Sequence, residues 1–307
     1  MAQPIITIVI PVRNRADLVE ATLDSVVGQE ARPLRLIVVD NGSTDATPAV
    51  LEAWAARHAV PDFAVSLLRE PRPGAAAARN RGLREVRSPW VLFFDSDDVM
   101  LPGHISRALD AIASHPEADV VGWSVGYCFD DGSRRVCDFS TADAEWQNLF
   151  HGSMATQRWC ARTELVRRAG GWDDAVPFWN DIELGARILA LRPTLRHTDS
   201  RVLVGYRAHA DSITGASAAD GLSRMEPALT RIARTLGAER ASWVRLKRII
   251  QIGTAARTDS AAARPYRDAF FAERGEPLRR RLLWRFAYLY TRLGLRGMAR
   301  LARPFLR

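Results

Sequence analysis

The architecture of the chain is set by residues 5–14, which read IITIVIPVRN. The first six of these form a continuous β-branched run, which is typical of a strand that is covered on both faces of a sheet. Residues 16–28 follow with apolar side chains at helical spacing, and the apolar run at 34–39 supplies a second buried strand. A strand, a helix and a strand in this order predict the start of a doubly wound parallel sheet.

The same alternation continues to about residue 100. We predict a helix over 44–57 with Ser43 or Thr44 as its N-cap, a strand over 65–68, a helix over 74–86 and a strand over 90–94. Residues 1–100 therefore resemble one nucleotide-binding half of an α/β domain.

After Pro102 the pattern is looser and predicts a mixed second half on the same sheet. The expected elements are a helix to residue 114, a strand over 120–129, a turn at 130–132, and helices over 162–169 and 182–191. From about residue 217 the chain is rich in Ala and Arg and helical in propensity. We therefore predict an α/β/α domain at 1–216, with halves 1–100 and 101–216, and a helical region at 217–307.

Composition excludes several classes of protein. The 307 residues are 47% apolar and 25% charged, which rules out a mostly disordered, collagen-like or coiled-coil chain. Three cysteines support neither a disulfide framework nor a cysteine-rich zinc site, and they favour a reducing compartment. The apolar N-terminus is short and lacks a basic flank, so we expect no signal peptide and no transmembrane helix.

Acidic residues follow two of the predicted strands at the point where each ends. Asp40 and Asn41 follow the second strand, and residues 95–98 read DSDD after the strand at 90–94. In open parallel sheets ligands bind beyond the carboxyl ends of the strands. Asp40 and Asn41 can hydrogen-bond a ribose or base, and the later carboxylates can hold a hard divalent cation.

Three nucleotide-binding classes lack their glycine-rich phosphate-binding signatures. No Gly-x-Gly-x-x-Gly follows the first strand, and no Gly-Lys-Ser/Thr occurs anywhere in the chain. A dinucleotide dehydrogenase, a P-loop NTPase and a sugar nucleotidyltransferase are therefore disfavoured.

Seven strings in order carry a resemblance to a known family. They are IVIPVRN at 8–14, LIVVDNGSTDAT at 36–47, GAAAARNRG at 74–82, FFDSDDVMLP at 93–102, GGWDD at 170–174, WNDIELGAR at 179–187 and YRAHADSIT at 206–214. Together they resemble the family 2 glycosyltransferases of the GT-A fold, over about the first 215 residues. The resemblance implies an inverting transfer of a sugar from a nucleoside diphosphate, with UDP or dTDP favoured, to a glycan or lipid-linked hydroxyl acceptor.

The resemblance also implies roles for particular residues. Asp181 would be the catalytic base, Trp179 and Asn180 would contact the acceptor, and Mn²⁺ or Mg²⁺ would be held by Asp97, Asp98 and His209. Donor-binding residues would be Pro11, Arg13, Asp40, Asn41, Arg79 and Asp97. One base and one metal suffice for this chemistry, because the base takes the hydroxyl proton and the cation offsets the charge of the leaving diphosphate.

Structural alternatives exist for most of these residues. Asp40 could form an Asx-turn, Asp181 could be the N-cap of the helix at 182–191, and Trp179 could serve core packing. His209 could be an ordinary surface or core histidine. A rival function is a non-catalytic nucleotide-sugar or glycan-binding scaffold.

The C-terminal third carries the basic charge of the chain. Residues 221–307 hold 20 basic and 6 acidic side chains, whereas residues 1–220 hold 23 and 29. Residues 278–307 contain nine Arg, no acidic residue and apolar side chains at helical spacing. This segment could lie on an anionic membrane surface or pack on its own domain; no nucleic-acid recognition module accompanies it. We expect a cytoplasmic protein that is peripheral at the inner face of the membrane.

Overall fold

A computed structural model describes residues 3–128, 134–207 and 218–306 of the chain. The chain forms two compact units. The first unit comprises residues 1–148 and 152–209, and the second comprises residues 149–151 and 210–307. The predicted boundary at residue 216, and the division into halves at residue 100, stay predictions.

The first unit is built on one mixed sheet. Its strands are β1 (Ile6–Val12), β2 (Leu34–Asp40), β3 (Phe63–Arg69), β4 (Trp90–Phe93), β5 (Val99–Met100), β6 (Val120–Cys128), β7 (Arg134–Cys137), β8 (Trp159–Arg162) and β9 (Leu195–Arg207). Within the described residues their order is β3-β2-β1-β4-β8-β6-β9-β5, and β7 pairs with β6. The four N-terminal neighbours β3, β2, β1 and β4 run parallel, as predicted, whereas β8 is antiparallel to both β4 and β6.

The helices of this unit are α1 (Val19–Val27), α2 (Thr47–His58), α3 (Ala75–Glu85), α4 (His104–Ser114), α5 (Ala144–His151), α6 (Thr163–Arg168) and α7 (Asn180–Ala190). The last three residues of α5 belong to the second unit. Alternate residues of β1 point to opposite faces of the sheet. Ile8 and Ile10 join a core with α1, α2 and α4, whereas Val9 joins a second core with α3, α6 and α7. Both faces are covered, which explains the unbroken apolar run and confirms the predicted α/β/α fold.

The prediction that Ser43 or Thr44 caps α2 was wrong. Ala46 occupies the N-cap position, and the Asp45 carboxylate accepts a hydrogen bond from the Thr47 N–H at 3.0 Å. The Ser43 hydroxyl instead accepts from the Asn14 N–H at 3.0 Å, and the Thr44 N–H donates to the Asn14 side chain at 2.8 Å. These residues therefore join the loops that follow β1 and β2.

Asp181 is not the N-cap of its helix either. α7 begins at Asn180, with Trp179 as N-cap in a left-handed conformation at φ 57°, so that Asp181 lies in the first turn. Strands β5, β7, β8 and β9 and helix α5 were not predicted from the sequence, and the predicted turn at 130–132 lies outside the described residues.

The second unit is helical. It contains α8 (Ala218–Leu236), α9 (Ala241–Thr258), α10 (Ser260–Ala272), α11 (Leu278–Arg292) and α12 (Met298–Ala302). α9 and α11 approach closely at Gly253, where a Cβ would collide with the Thr291 hydroxyl and the Tyr288 carbonyl of α11. Among the described residues no helix is long and apolar enough to cross a membrane.

Candidate active site

The predicted donor-site residues lie at or near the carboxyl ends of the parallel strands. Val12 pairs with Asp40 between β1 and β2, and Val9 pairs with Phe93 between β1 and β4. The chain builds β2 and β3 on one side of β1 and then crosses to β4 on the other side. This reversal leaves a crevice beyond the strand ends, which is the usual ligand site in open α/β sheets.

Asn41 is anchored entirely within the protein. Its side-chain amide donates to the carbonyls of Glu70 at 2.9 Å and Arg72 at 2.7 Å, and its side-chain oxygen accepts from the Gly74 N–H at 2.8 Å. The side chain is 4% exposed. Asn41 therefore fixes the loop between β3 and α3, and only an amide can make this set of bonds, because the carboxylate of Asp has no proton to donate.

Asp40 lies beside it at the carboxyl end of β2. One oxygen of its carboxylate accepts from the Ser43 N–H at 3.3 Å, which is the Asx-type turn that the sequence allowed as an alternative. Pro11 is buried in β1 opposite Val39, and Arg13 is exposed just beyond the end of the strand. The roles of these residues in donor binding stay predictions.

Arg79 of α3 binds the first carboxylate after β4. Its guanidinium donates to Asp95 at 2.6 Å and lies 4.3 Å from the ring centre of Trp172. Asn80 holds the backbone of the same Trp172 through two hydrogen bonds. Its side-chain amide donates to the Trp172 carbonyl at 2.7 Å, and its side-chain oxygen accepts from the Trp172 backbone N–H at 2.9 Å. The motifs at 74–82 and 170–174 are thus brought together beside Asp95.

The two carboxylates predicted to hold a metal have different surroundings. Asp97 is partly exposed and lies 3.6 Å from the guanidinium of Arg15. Asp98 is 4% exposed, and its carboxylate accepts a hydrogen bond from the side-chain amide of Gln157. The Gln157 oxygen also accepts from the Asp95 N–H at 3.2 Å, so one buried side chain fixes both ends of the DSDD turn.

Asp181 reaches the same region through the neighbouring residue. One carboxylate oxygen accepts from the Thr156 N–H at 3.2 Å, and the other accepts from the Ile182 N–H at 2.8 Å. Thr156 and Gln157 are adjacent, so a single peptide links Asp181 to the acidic turn after β4. Trp179 stacks on Phe178 with ring centres 5.7 Å apart, and both are half-buried beside Asn180.

The carboxylates interact electrostatically. The pKa of Asp95 is raised, first because the group is withdrawn from water and further by the charges of Asp97 and Asp181, while Arg79 opposes the shift. The carboxylates of Asp95, Asp97 and Asp181 therefore lie close enough to interact, with the guanidinium of Arg79 beside Asp95.

This crevice has the chemistry that a hard divalent cation requires, although the ligand set is incomplete in the described part of the chain. The available donors are carboxylate oxygens, which Mg²⁺ and Mn²⁺ prefer. Within residues 3–128, 134–207 and 218–306 no group of three or more His, Cys, Asp and Glu side chains is arranged to hold a metal. His209, the predicted third ligand, lies outside the described residues.

Three residues of the site escaped the sequence reasoning. Thr156 and Gln157 occur in no predicted element, and Gln157 adopts a left-handed conformation at φ 54° that no local pattern signals. Arg15 lies one residue beyond the motif at 8–14. Its N–H donates to the hydroxyl of Thr47 in α2 at 2.8 Å, and its guanidinium lies 3.6 Å from Asp97.

The parallel part of the sheet, with its switch point at β1 and acidic residues beyond its strand ends, defines an α/β fold of the class that binds ligands at this position. The sequence model described as glycosyl transferase family 2 matches residues 7–165, more than half of the chain. This chain belongs to that family. The match includes strands β2 to β8 and all but the first residue of β1, together with α3 and the acidic turn, whereas Asp181 and β9 lie beyond it.

Similar proteins agree with this assignment. The succinoglycan biosynthesis protein ExoO of Rhizobium meliloti (strain 1021) is 34% identical over 108 residues, which are 35% of this chain and 29% of ExoO. The matched segment is thus less than a third of that relative.

Solved structures with the same fold extend over nearly the whole chain. A crystal structure of S. aureus TarS 1-349 in complex with UDP-GlcNAc has a TM-score of 0.62 and 16% identity over 98% of this chain and 92% of that one. The mannosyltransferase PcManGT from Pyrobaculum calidifontis, in complex with GDP-Man and Mn²⁺, has a TM-score of 0.55 and 21% identity over 99% and 88%. These similarities confirm the GT-A fold.

Proposed function

We propose that this protein is a metal-dependent inverting glycosyltransferase of the hexosyltransferase class. The observation that carries the proposal is the Thr156–Gln157 peptide, which holds Asp181 through its first residue and Asp98 through its second. This peptide therefore holds the proposed proton acceptor, Asp181, and the proposed donor-binding turn at 95–98 in a fixed relative position. A direct displacement requires reacting groups that are positioned in this way.

The base in this reaction is Asp181. An acceptor hydroxyl gives its proton to the Asp181 carboxylate as its oxygen forms a bond to the anomeric carbon of the donor. The bond from that carbon to the diphosphate oxygen breaks, and the nucleoside diphosphate leaves with the electron pair. Attack from the face opposite the leaving group inverts the anomeric centre, and no covalent enzyme intermediate is needed.

The acidic turn and the basic residues near it bind the donor. When bound, Mn²⁺ or Mg²⁺ would offset the charge that develops on the leaving diphosphate. Asp97, with Asp98 and His209, would hold it. Gln157 would keep the turn in shape, and Arg15 would limit the repulsion between Asp97 and the phosphates.

The donor in this proposal is a nucleoside diphosphate sugar, and we favour UDP or dTDP as the nucleotide. The UDP-GlcNAc bound by TarS and the GDP-Man bound by PcManGT support the donor class. The name of ExoO supports a role in polysaccharide biosynthesis and hence a glycan or lipid-linked acceptor. We place the reaction in the cytoplasm, where such donors are made.

Calorimetric titration of UDP, dTDP and GDP, each with and without Mn²⁺, tests the donor site first. We expect one nucleotide to bind in a metal-dependent manner. Asp181→Asn should bind that nucleotide like the wild type but transfer no sugar. Asp62→Asn is the matched control, because Asp62 is exposed and immediately precedes β3, at the end of that strand away from the acidic turn; this variant should keep both properties.

Two results would argue against the proposal. Metal-dependent nucleotide binding without any transfer from the matching sugar nucleotide would favour the scaffold function. Transfer that survives in Asp181→Asn would remove Asp181 as the base.

A further inference from the structure

The last long helix, α11, has two chemically distinct faces. Its buried side chains are Trp284, Ala287, Tyr288 and Thr291. They pack within the second unit, since Trp284 meets Phe270 of α10 edge-on at 6.3 Å and Thr291 lies against Gly253 of α9. This face anchors the helix and orients the rest of it.

Large apolar side chains cover the opposite face. Five of them are half-exposed or more: Leu278 at 69%, Leu282 at 56%, Phe286 at 51%, Leu289 at 55% and Leu293 at 75%. At roughly 100° per residue these five positions fall within an arc of about 80°, and the centre of that arc lies about 170° from the centre of the buried face. We call these five residues the exposed stripe.

Arginines border the exposed stripe. Arg281, Arg285 and Arg292 are exposed and fall within roughly 40° of arc along one side of it. No acidic residue occurs anywhere from 278 to 307, so the border has one sign of charge along its whole length. An apolar strip with a cationic edge is the pattern of a helix that lies in the plane of a membrane interface.

The rest of the described chain lacks a comparable apolar surface. Of the large apolar side chains that are exposed, Leu295, Leu301 and Phe305 continue from the stripe into the C-terminal segment. The others are scattered singly in the first unit, namely Ile5, Val60, Leu67, Val136 and Leu191. Scattered apolar residues are ordinary, whereas a contiguous row marks a docking surface.

We propose that the exposed stripe docks onto an anionic membrane surface, with its leucines and Phe286 inserted among the acyl chains and its arginines against the headgroup phosphates. Charge complementarity selects this occupant. A second copy of the chain would bring an equally basic border against the first and would be repelled. The inference is independent of the glycosyl-transfer chemistry, because it concerns binding alone.

Sedimentation of the full chain with vesicles tests this proposal directly. We expect the protein to pellet with vesicles of 30% phosphatidylglycerol in phosphatidylcholine and to stay in the supernatant with pure phosphatidylcholine. Phe286→Ser with Leu289→Ser should weaken binding at least tenfold, because each side chain loses its apolar burial. Arg281→Gln, Arg285→Gln and Arg292→Gln together should weaken it roughly a hundredfold, at about fivefold for each charge.

Two matched controls separate the stripe from general effects. Val60→Ser removes an apolar side chain that is 51% exposed, as Phe286 is, but lies in the first unit. Arg264→Gln removes an exposed arginine of α10. Both controls should pellet like the wild type.

A second measurement holds even if a stripe variant folds poorly. In Phe286→Trp, the fluorescence of the added indole should be quenched by brominated acyl chains in the anionic vesicles. In Val60→Trp, the fluorescence of the added indole should not be quenched. Failure of the wild type to pellet would overturn the proposal. So would vesicle binding that depends on the arginines but not on the apolar residues, since that outcome indicates electrostatic adsorption to the headgroups without insertion of the exposed stripe.

Discussion

The Gln157 side chain joins two ends of one acidic turn, because its amide donates to the Asp98 carboxylate and its oxygen accepts from the Asp95 N–H. Gln157 is 1% exposed and is itself fixed by its backbone, whose carbonyl accepts from the Trp123 indole N–H at 2.7 Å. The shape of the turn therefore depends on a residue that lies far from it in the sequence. Asp97, between the two fixed points, is partly exposed and lies 3.6 Å from the guanidinium of Arg15.

Gln157→Leu tests whether this support matters for the metal binding that we propose. Without the amide, Asp98 loses its hydrogen bond from residue 157 and the Asp95 N–H loses its acceptor. Residues that orient metal ligands typically contribute 10- to 100-fold to metal affinity or activity. We expect the Mn²⁺ concentration for half-maximal sugar transfer to rise by about that factor.

Gln157→Glu is the informative companion to this variant. It keeps the size of the side chain and the acceptor for Asp95 but places a carboxylate against Asp98, so it should raise the Mn²⁺ requirement as well. A variant whose unfolding temperature falls but whose Mn²⁺ dependence equals the wild type would show that Gln157 is only structural.

Asn41→Asp tests the anchoring of the loop between β3 and α3. A carboxylate would face the carbonyls of Glu70 and Arg72 with no proton to offer. Leaving buried hydrogen-bonding groups without partners costs about 1 to 3 kcal/mol. We expect the free energy of unfolding to fall by about that amount in chemical denaturation. Asp62→Asn, which exchanges the same two residue types at an exposed position, should change it little, and an unchanged stability in Asn41→Asp would contradict the anchoring role.

The parallel half of the sheet could be predicted because its signals are local. β1, β2 and β4 are apolar runs, and their parallel order follows from helices between them. The acidic residues at the strand ends were found by the same reasoning. β9 could not be found in this way, since its sequence LRHTDSRVLVGYR begins as a polar segment and is recognised as a strand only by pairing with β6 and β5.

The residues that arrange the site could not be predicted for a related reason. Gln157 acts through contacts with Asp98 and Asp95 that exist only once β8 has paired antiparallel to β4. Asn41 fell within a recognised motif, but its bonds to the loop at 70–74 depend on the position of β3. Residue type and spacing indicate which groups can react, whereas tertiary contacts decide which groups hold them.

His104 makes the first unit sensitive to acid. It is fully buried at the start of α4, with its ring 4.4 Å from that of Trp123, and burial lowers its pKa to about 3. The unfolded chain takes up a proton near pH 6.5, so the contribution of the neutral ring is present above pH 6.5 and is lost as the pH falls towards 3. We expect His104→Leu to be more stable than the wild type by about 3 kcal/mol at pH 4 and similar to it at pH 7.

Denaturant unfolding at several pH values measures this difference. The two proteins should diverge only below pH 6.5. If the difference in unfolding free energy between the wild type and His104→Leu stays constant down to pH 4, His104 is protonated in the folded protein.

Lys247 of α9 is the only lysine among the 307 residues, and burial lowers its pKa to about 8. Its ammonium lies 5.8 Å from the ring centre of Phe150. Below pH 8 the folded protein holds a buried charge, and between pH 8 and 10.5 the unfolded chain binds a proton that the folded chain has released. Stability should therefore rise with pH across that interval.

Lys247→Met should raise the free energy of unfolding at pH 7 by about 1 to 3 kcal/mol and abolish this rise. Because there is one lysine, ¹³Cε labelling gives a single side-chain signal, and a midpoint near 10.5 in its titration would contradict the prediction.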